Sequence, residues 1–378
     1  MILDDAYRKS TQYRQWSYTQ EKLAEIRQNT NDVACIRLRE KARIAVAAES
    51  TQTSSDEGSF SHGREGVVLT DGDIQTLKAE EELKIVDWAC MKIIEVSGAM
   101  EPRIPSNITA TAIQYLRRFY LTNSPMIHHP KQLVPCALYL ATKADHLYLP
   151  LSKFIDGLEG VSEESIKARE SVLLQGLRFA LDVRHPMKGL VGGCIEMHAM
   201  AEEGRLGGIS KATGFASRID SAADQAKKLL VTAAQMTDAY FLYTPSQIWL
   251  AALTLADREL TETYLERKLA DLASPEAAAT ESRTKLVSTI SACARLLESY
   301  RLPDPHTQRK ELRRIRRKLD ICQNLAKVDI EASPGRTFTS MEGEGEGGDY
   351  PGRPTKRRKL EVEISQEKGD SSDSDGVV

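Results

Sequence analysis

The sequence predicts an all-α protein organised as two tandem five-helix units, and three observations carry that prediction. No segment alternates apolar and polar residues for long, so strands have no signal. Two runs, residues 131–145 and 245–257, place apolar residues on nearly every side of a helix, the pattern of a helix buried on all faces. The two runs are also in register. Setting Pro130 against Pro245, a shift of 115 residues, puts Gln132 on Gln247, Ala137 on Ala252, Leu138 on Leu253, Leu140 on Leu255, Ala141 on Ala256 and Thr122-Asn123 on Thr237-Asp238. A repeat of this period is a domain duplication, because solenoid units are shorter.

The elements follow in order. Residues 1–49 form an N-terminal helical segment, whose charged stretch over 20–48 reads as one or two exposed helices. Residues 50–69 are poor in apolar side chains and read as a flexible insertion. The first unit spans 70–183. Thr70-Asp71-Gly72-Asp73 offers a capping start, and Leu83, Val86, Cys90, Ile93, Ile94 and Ser97 make one helical face. Gly98 stops that helix and Pro105-Ser106 opens the next, with Ile108, Ala112, Tyr115, Leu116, Phe119 and Tyr120 as its buried stripe and Arg117 and Arg118 on a solvated edge. The central helix comes third, then residues 151–158, then 162–181 behind Ser162 with acidic residues in the first turn; His185-Pro186 closes the set. The second unit spans 184–302, with helices flanking its central run at 187–202, 216–236, 261–272 and 280–300. A basic amphipathic helix at 303–328 carries the apolar stripe Leu312, Ile315, Leu319, Cys322 and Leu325, and residues 329–378 read as a disordered tail.

Composition excludes more than it assigns. At 378 residues, 41% hydrophobic and 28% charged, the chain supports two domains, and a net charge of −3 argues against a surface built throughout for nucleic acid. The six cysteines lie far apart in sequence, which predicts reduced core residues and neither a zinc site nor a redox pair. The start, Met1 to Asp5, predicts no signal peptide, and the most apolar run, residues 248–256, is too short to span a bilayer. There is no phosphate-binding glycine loop, metalloprotease motif or nucleophile elbow, and no isolated histidine has ligand-type neighbours. No enzyme activity, cofactor or metal is expected.

Specific strings carry a family resemblance. Residues 115–124, from Tyr115-Leu116-Arg117-Arg118-Phe119-Tyr120 to Ser124, followed by His129-Pro130, resemble the second helix and following turn of the cyclin H branch of the cyclins. Residues 237–248, from Thr237-Asp238 to Ile248, resemble its second repeat, and Ser10-Thr11-Gln12 with Arg14-Gln15-Trp16 is similar to its N-terminal segment. The resemblance implies a double cyclin-box fold. It also implies a non-catalytic subunit that activates a cyclin-dependent kinase of the CDK-activating and TFIIH type, supporting phosphorylation of the RNA polymerase II tail. The partners it implies are the kinase catalytic subunit, a RING-finger assembly factor and the TFIIH core, with no sequence-specific nucleic acid and no membrane. In this family a lysine ending the third helix and a glutamate in the fifth reach main-chain groups near the kinase helix; the matching residues are Lys143 and Glu170. At the 115-residue shift these fall on Arg258 and Lys285, so one kinase surface is expected, on the first repeat.

One departure stands out. The first-helix patch by which cell-cycle cyclins dock substrates corresponds to Glu81-Glu82-Leu83-Lys84-Ile85, whose charge predicts loss of that docking mode; nearby Trp88 reads as core. The basic helix at 307–327 is expected to pack on the repeats beside residues 10–48, or on a third subunit. In the tail, Lys356-Arg357-Arg358-Lys359 reads as a nuclear-import cluster, which implies a nuclear protein, and Ser333 and Ser372 as phosphorylation sites. Two alternatives stay open: a promoter-DNA-binding factor of the TFIIB kind, which lacks its usual zinc ribbon here, and a transcription-elongation cyclin with another kinase.

Overall fold

The computed structural model describes residues 7–52, 75–207, 209, 214–272 and 277–327. All of them fall in one compact unit, residues 1–333. Among the described residues there is no strand, as the all-α reading expects.

The N-terminal segment is α1, Thr11–Trp16, and α2, Gln20–Gln52. Ser10 caps α1, its hydroxyl accepting from the Tyr13 amide at 3.3 Å. The first repeat is α3 (Ala79–Ala99), α4 (Ser106–Thr122), α5 (Pro130–Ala144), α6 (Leu151–Asp156) and α7 (Glu163–Gly176). Helix α3 starts at Ala79, past the sequence's cap signal at 70–73, which lies outside the described residues. Its first turn is closed by Glu81, whose carboxylate accepts from the Lys78 amide at 3.0 Å. His129 caps α5 through Nδ1, and Pro130 occupies the first turn, where a missing N–H costs nothing.

Helix α5 is buried on nearly every side from Leu133 to Thr142, as its sequence predicts, and packs on α3, α4 and α7. Helix α4 is buried just as completely, from Ile108 to Leu121, so its apolar stripe understates it. In α3 four of the six predicted stripe residues, Val86, Cys90, Ile93 and Ser97, are buried; Leu83 is half-buried, Ile94 is exposed, and Ile85 and Ala89 join the core as well. The thiols of Cys90 and Cys136, like those of Cys293 and Cys322 elsewhere, are pushed up to about 12 by burial, so they are inert core groups.

The second repeat is α8 (Met187–Glu202), α9 (Phe215–Val231), two short turns α10 (Ala233–Met236) and α11 (Ala239–Leu242), α12 (Pro245–Ala256), α13 (Arg258–Leu272) and α14 (Ala277–Ser299). The sequence's continuous helix over 216–236 breaks at Thr232, whose backbone leaves the helical region. Thr244 and Gln247 form a reciprocal capping box at the start of α12, which packs on α8, α9, α13 and α14. Gly189 and Gly193, one turn apart on α8, let it lie against Trp249 of α12: a Cβ at either would come within 2.5 and 2.7 Å of the indole.

The C-terminal helix α15, Pro305–Lys327, lies against α2 and α3. Ile315, Leu319 and Cys322 share one core cluster with Ala34, Leu38 and Ala42 of α2 and Ile85 of α3. Helix α2 is therefore one continuous helix with a buried face, not an exposed one. It joins the basic helix beside the N-terminal segment, where the resemblance put it.

Candidate functional site

Lys143 sits in the last turn of α5, where a cation complements the helix dipole, and Glu170 sits in the middle of α7. Because α5 packs on α7, the two side chains meet: Lys143 Nζ donates to Glu170 Oε1 in an ion pair. The pair is partly exposed, at 43% for Lys143 and 22% for Glu170, and the Lys143 ammonium lies 5.1 Å from the centre of the Tyr139 ring. An ammonium has three donors and a carboxylate about four acceptor positions, so each group keeps capacity for a partner. At the positions 115 residues on, the second repeat has no counterpart among the described residues: Arg258 reaches Glu262 at 4.0 Å, and Lys285 is exposed.

Both helices that carry this pair end in the same way. His146 has φ 59°, and Leu147 N–H reaches back to Thr142 O at 2.8 Å; Arg178 and Phe179 have φ 53° and 54°, and Phe179 N–H reaches Leu174 O at 3.0 Å. These are left-handed helix ends of the kind glycine usually makes, here built from side-chain-bearing residues, at a cost of about 1 kcal/mol or more each. Each such end is followed by or contains an exposed aromatic: Tyr148 is 91% and Phe179 70% accessible. Sequence reasoning missed both, since none of the left-handed positions, His146, Arg178 and Phe179, is the glycine or asparagine that marks such a cap.

The N-terminal segment braces the first repeat. Arg118, only 2% exposed, donates to Ala180 O, Asp182 O and the Gln12 side chain at 3.0–3.3 Å, and its guanidinium lies 5.4 Å from the Trp16 ring centre. Arg178, in the left-handed turn, lies 5.2 Å from the same ring. The string Ser10-Thr11-Gln12…Trp16 thus supplies a cap, a hydrogen-bond acceptor and an apolar plate. Arg117, 4% exposed, ion-pairs with Asp87 at 2.8 Å and with Asp238 at 3.0 Å, and Arg27 of α2 grips the same Asp238 through two bonds of 2.8 and 2.6 Å. Burial by itself would raise the Asp238 carboxyl, but the two guanidinium groups outweigh it and hold the group below its usual range. Neither arginine lies on the solvated edge that the sequence suggested: Arg117 ties the two repeats together, and Arg118 ties the N-terminal segment to the end of the first repeat.

A second polar relay crosses the repeat boundary. Gln114 donates to Gln235 (2.9 Å), Gln235 to the Tyr240 hydroxyl (2.7 Å), and His185 stands between Tyr240 (3.0 Å at Nδ1) and Thr111 (2.9 Å at Nε2), which reaches Asp145 at 2.8 Å. Every group is satisfied when His185 is neutral with its proton on Nε2. Burial, with Arg118 and Lys188 nearby, drives its imidazole down to about 4.

The docking patch of α3 is covered. Glu81 takes Arg314 at 2.8 Å and Lys318 at 3.0 Å, Glu82 hydrogen-bonds Ser124, and Ile85 enters the cluster under α15. Occlusion by α2 and α15, more than the charge of the patch, closes that surface. Burial raises Glu82 to about 7. Trp88 is half-buried: it packs against the core of the first repeat, as its sequence reading expects, and its remaining surface lines a groove beside α15. Among the described residues no cluster of histidine, cysteine and carboxylate side chains could hold a metal, and no helix is long and apolar enough to cross a membrane. Ser333, Ser372 and the cluster Lys356, Arg357, Arg358 and Lys359 lie outside the described residues.

Comparison with known proteins agrees with this architecture. Residues 185–298 match the family model of the cyclin C-terminal domain. Cyclin CCL1 of Saccharomyces cerevisiae is 32% identical over 70% of this chain, which spans 61% of that protein's length. A chain in the structure of the CAK complex of Chaetomium thermophilum bound to ATP-gamma-S superposes with a TM-score of 0.70 at 28% identity, covering 91% of this chain and 99% of that one. A chain of the yeast TFIIK (Kin28/Ccl1/Tfb3) complex gives 0.55 at 27% identity, over 77% of this chain and 100% of its own. Cyclin-H1-1 of Arabidopsis thaliana is 30% identical over 84% of this chain and 88% of its own length, and on that similarity, spread across both repeats, the chain belongs to the cyclin H family.

Proposed function

We propose that the chain is the regulatory subunit of a CDK-activating kinase: a cyclin that binds a cyclin-dependent kinase and holds it active without catalysing a step itself. The observation that carries the reading is the Lys143–Glu170 pair, partly exposed on the first repeat and not repeated at Arg258 and Lys285 of the second. In protein kinases a glutamate on one mobile helix must pair with the lysine that positions ATP. A surface that holds that helix inward activates the enzyme. Lys143 donates to carbonyls and Glu170 accepts from N–H groups on the kinase, and charge-assisted bonds of this kind are stronger than neutral ones. Phe179 and Tyr148 add apolar anchors, the residue class that dominates binding energy at interfaces.

The finer assignments rest on likeness. The solved relatives come from complexes described as CAK and as TFIIK (Kin28/Ccl1/Tfb3). By that likeness we assign the chain a kinase partner, and by the resemblance and motifs of its sequence a RING-finger assembly factor, a place in the TFIIH core assembly and a nuclear location served by Lys356, Arg357, Arg358 and Lys359. The test is co-purification of the tagged chain from its own cells with a kinase assay of the eluate, beside a Lys143→Ala/Glu170→Ala variant. A kinase that accompanies the native chain and is lost from the variant supports the reading. Recovery of promoter DNA and no kinase overturns it.

A further inference from the structure

Helix α15 carries more positive charge than the fold uses. Arg314 and Lys318 are spent on Glu81, and Arg316 faces Asp320 at 3.9 Å. Arg309, Lys310, Arg313 and Arg317 are exposed and make no ion pair among the described residues. Unspent cations crowded on one helix repel one another, and a fold that needed only the apolar stripe to dock α15 would gain nothing from them.

Two of these cations, Arg309 and Arg313, border a groove of about 210 Å³ between α3, the start of α5 and α15. Trp88, Leu312 and Leu319 form its floor, and Arg309, Arg313 and Lys131 stand on its rim. Trp88 differs from the chain's other tryptophans: Trp16 and Trp249 are buried, whereas Trp88 faces the groove half-covered. An apolar floor inside a cationic rim is complementary to a chain that carries carboxylates on both sides of an apolar side chain. Arginine suits this because its planar guanidinium takes a carboxylate through two bonds and covers neighbouring apolar surface with its stem. A nucleic-acid backbone would engage the rim but leave the leucine floor without a partner.

We propose that this groove docks an acidic peptide segment of a partner protein, seating one apolar side chain on Trp88 and its flanking carboxylates on Arg309, Arg313 and Lys131. The site is separate from the Lys143–Glu170 surface and does not depend on that surface's role.

The test uses the full chain and a short synthetic peptide of aspartate and glutamate with one central phenylalanine. Trp88 is the tryptophan open to report: on binding, its emission shifts to the blue and acrylamide quenching falls. Replacing the peptide's phenylalanine by serine, or making the Arg309→Glu/Arg313→Glu variant, weakens binding by about tenfold or more, and added salt weakens it further. Thermal melting of the charge-reversed variant matches the native chain, since both arginines are exposed. A Trp88→Phe chain, followed by anisotropy of labelled peptide, loses the fluorescence response but keeps most of its affinity. Failure to bind, binding indifferent to charge reversal, or equal loss-sensitive binding of an oligonucleotide of the same charge each overturns the proposal, the last by assigning the face to nucleic acid.

Discussion

Asp238 is the residue on which three parts of the chain converge, because Arg27 of α2 and Arg117 of α4 both end on its carboxylate. Removing it leaves Arg117 buried with Asp87 as its remaining carboxylate, and breaking a buried pair is far more costly than breaking an exposed one. Asp238→Ala is expected to destabilise the fold by roughly 3 kcal/mol, read from the urea midpoint, while Lys22→Ala, which breaks an exposed pair with Glu25, shifts it by less than about 1 kcal/mol. Two other single groups set the acid response, with opposite signs. His185 is held at about 4 by burial, below the roughly 6.5 of a free imidazole, so its contribution is present above pH 6.5 and lost as pH falls towards 4. Glu82 is raised to about 7, so it favours the fold at low pH and this is lost as pH rises from about 4.5 through 7. The two largely offset each other between pH 7 and 4.5. In His185→Asn the stability therefore holds or rises on acidification through that window, and in Glu82→Gln it falls more steeply than in the native chain, by up to roughly 3 kcal/mol in each case. Denaturant titrations at stepped pH read both slopes, and parallel slopes in all three chains would sink the assignment.

At the scale of elements, the repeat was legible in the sequence because its central helices α5 and α12 carry apolar residues on nearly every side through their middles, with polar residues kept to their ends. Lys131 to Ala144 announces its own surroundings, and so does the Thr244-Pro245 start of α12 with its Gln247 box. What stayed hidden was anything decided by a neighbour. Helix α2 looks exposed from its charges, but its buried face is carried by small and spaced residues, Ala34, Leu38 and Ala42, that become a face only when α15 covers them. Arg117 and Arg118 looked like surface because charge is usually solvated; their partners lie 121 and 106 residues away, at Asp238 and Gln12. The contact of α8 with α12 is of the same kind. Gly189 and Gly193 read as poor helix residues, yet they are where Trp249 enters. Gly189→Ala sets a helix-propensity gain of about 1 kcal/mol against a side-chain clash at 2.5 Å, and overpacking of this sort costs roughly 1–3 kcal/mol. A net loss of stability and a changed Trp249 near-ultraviolet circular dichroism are expected. A stabilised variant would show that the indole moves aside freely.

For the whole molecule, the duplication has been resolved into unlike halves joined by polar relays. The first repeat presents Lys143, Glu170, Tyr148 and Phe179, while the second contributes Asp238, Gln235 and Tyr240 to the joint. The N-terminal segment bridges both: Trp16 and Leu23 cluster with Leu121 of one repeat and Phe241 of the other, and the Tyr18 amide donates to Phe241 O at 2.8 Å. Such bracing suits the function proposed above, in which the first repeat holds a partner's helix in place without yielding. It also lets the role of the Lys143–Glu170 pair be separated from its stability. The swap Lys143→Glu/Glu170→Lys keeps an ion pair between α5 and α7, and since partly exposed pairs are worth about 1 kcal/mol or less, melting should be nearly unchanged. What the swap inverts is the polarity offered to a partner: acceptors stand where donors stood. If these groups clamp a kinase main chain, two charge-assisted bonds worth roughly 1.5–3 kcal/mol each are lost or made repulsive, and kinase activation falls by a factor of roughly a hundred or more with the fold intact. If activation survives the swap, the pair only braces α5 on α7, and the apolar surface around Phe179 has to carry the interaction alone.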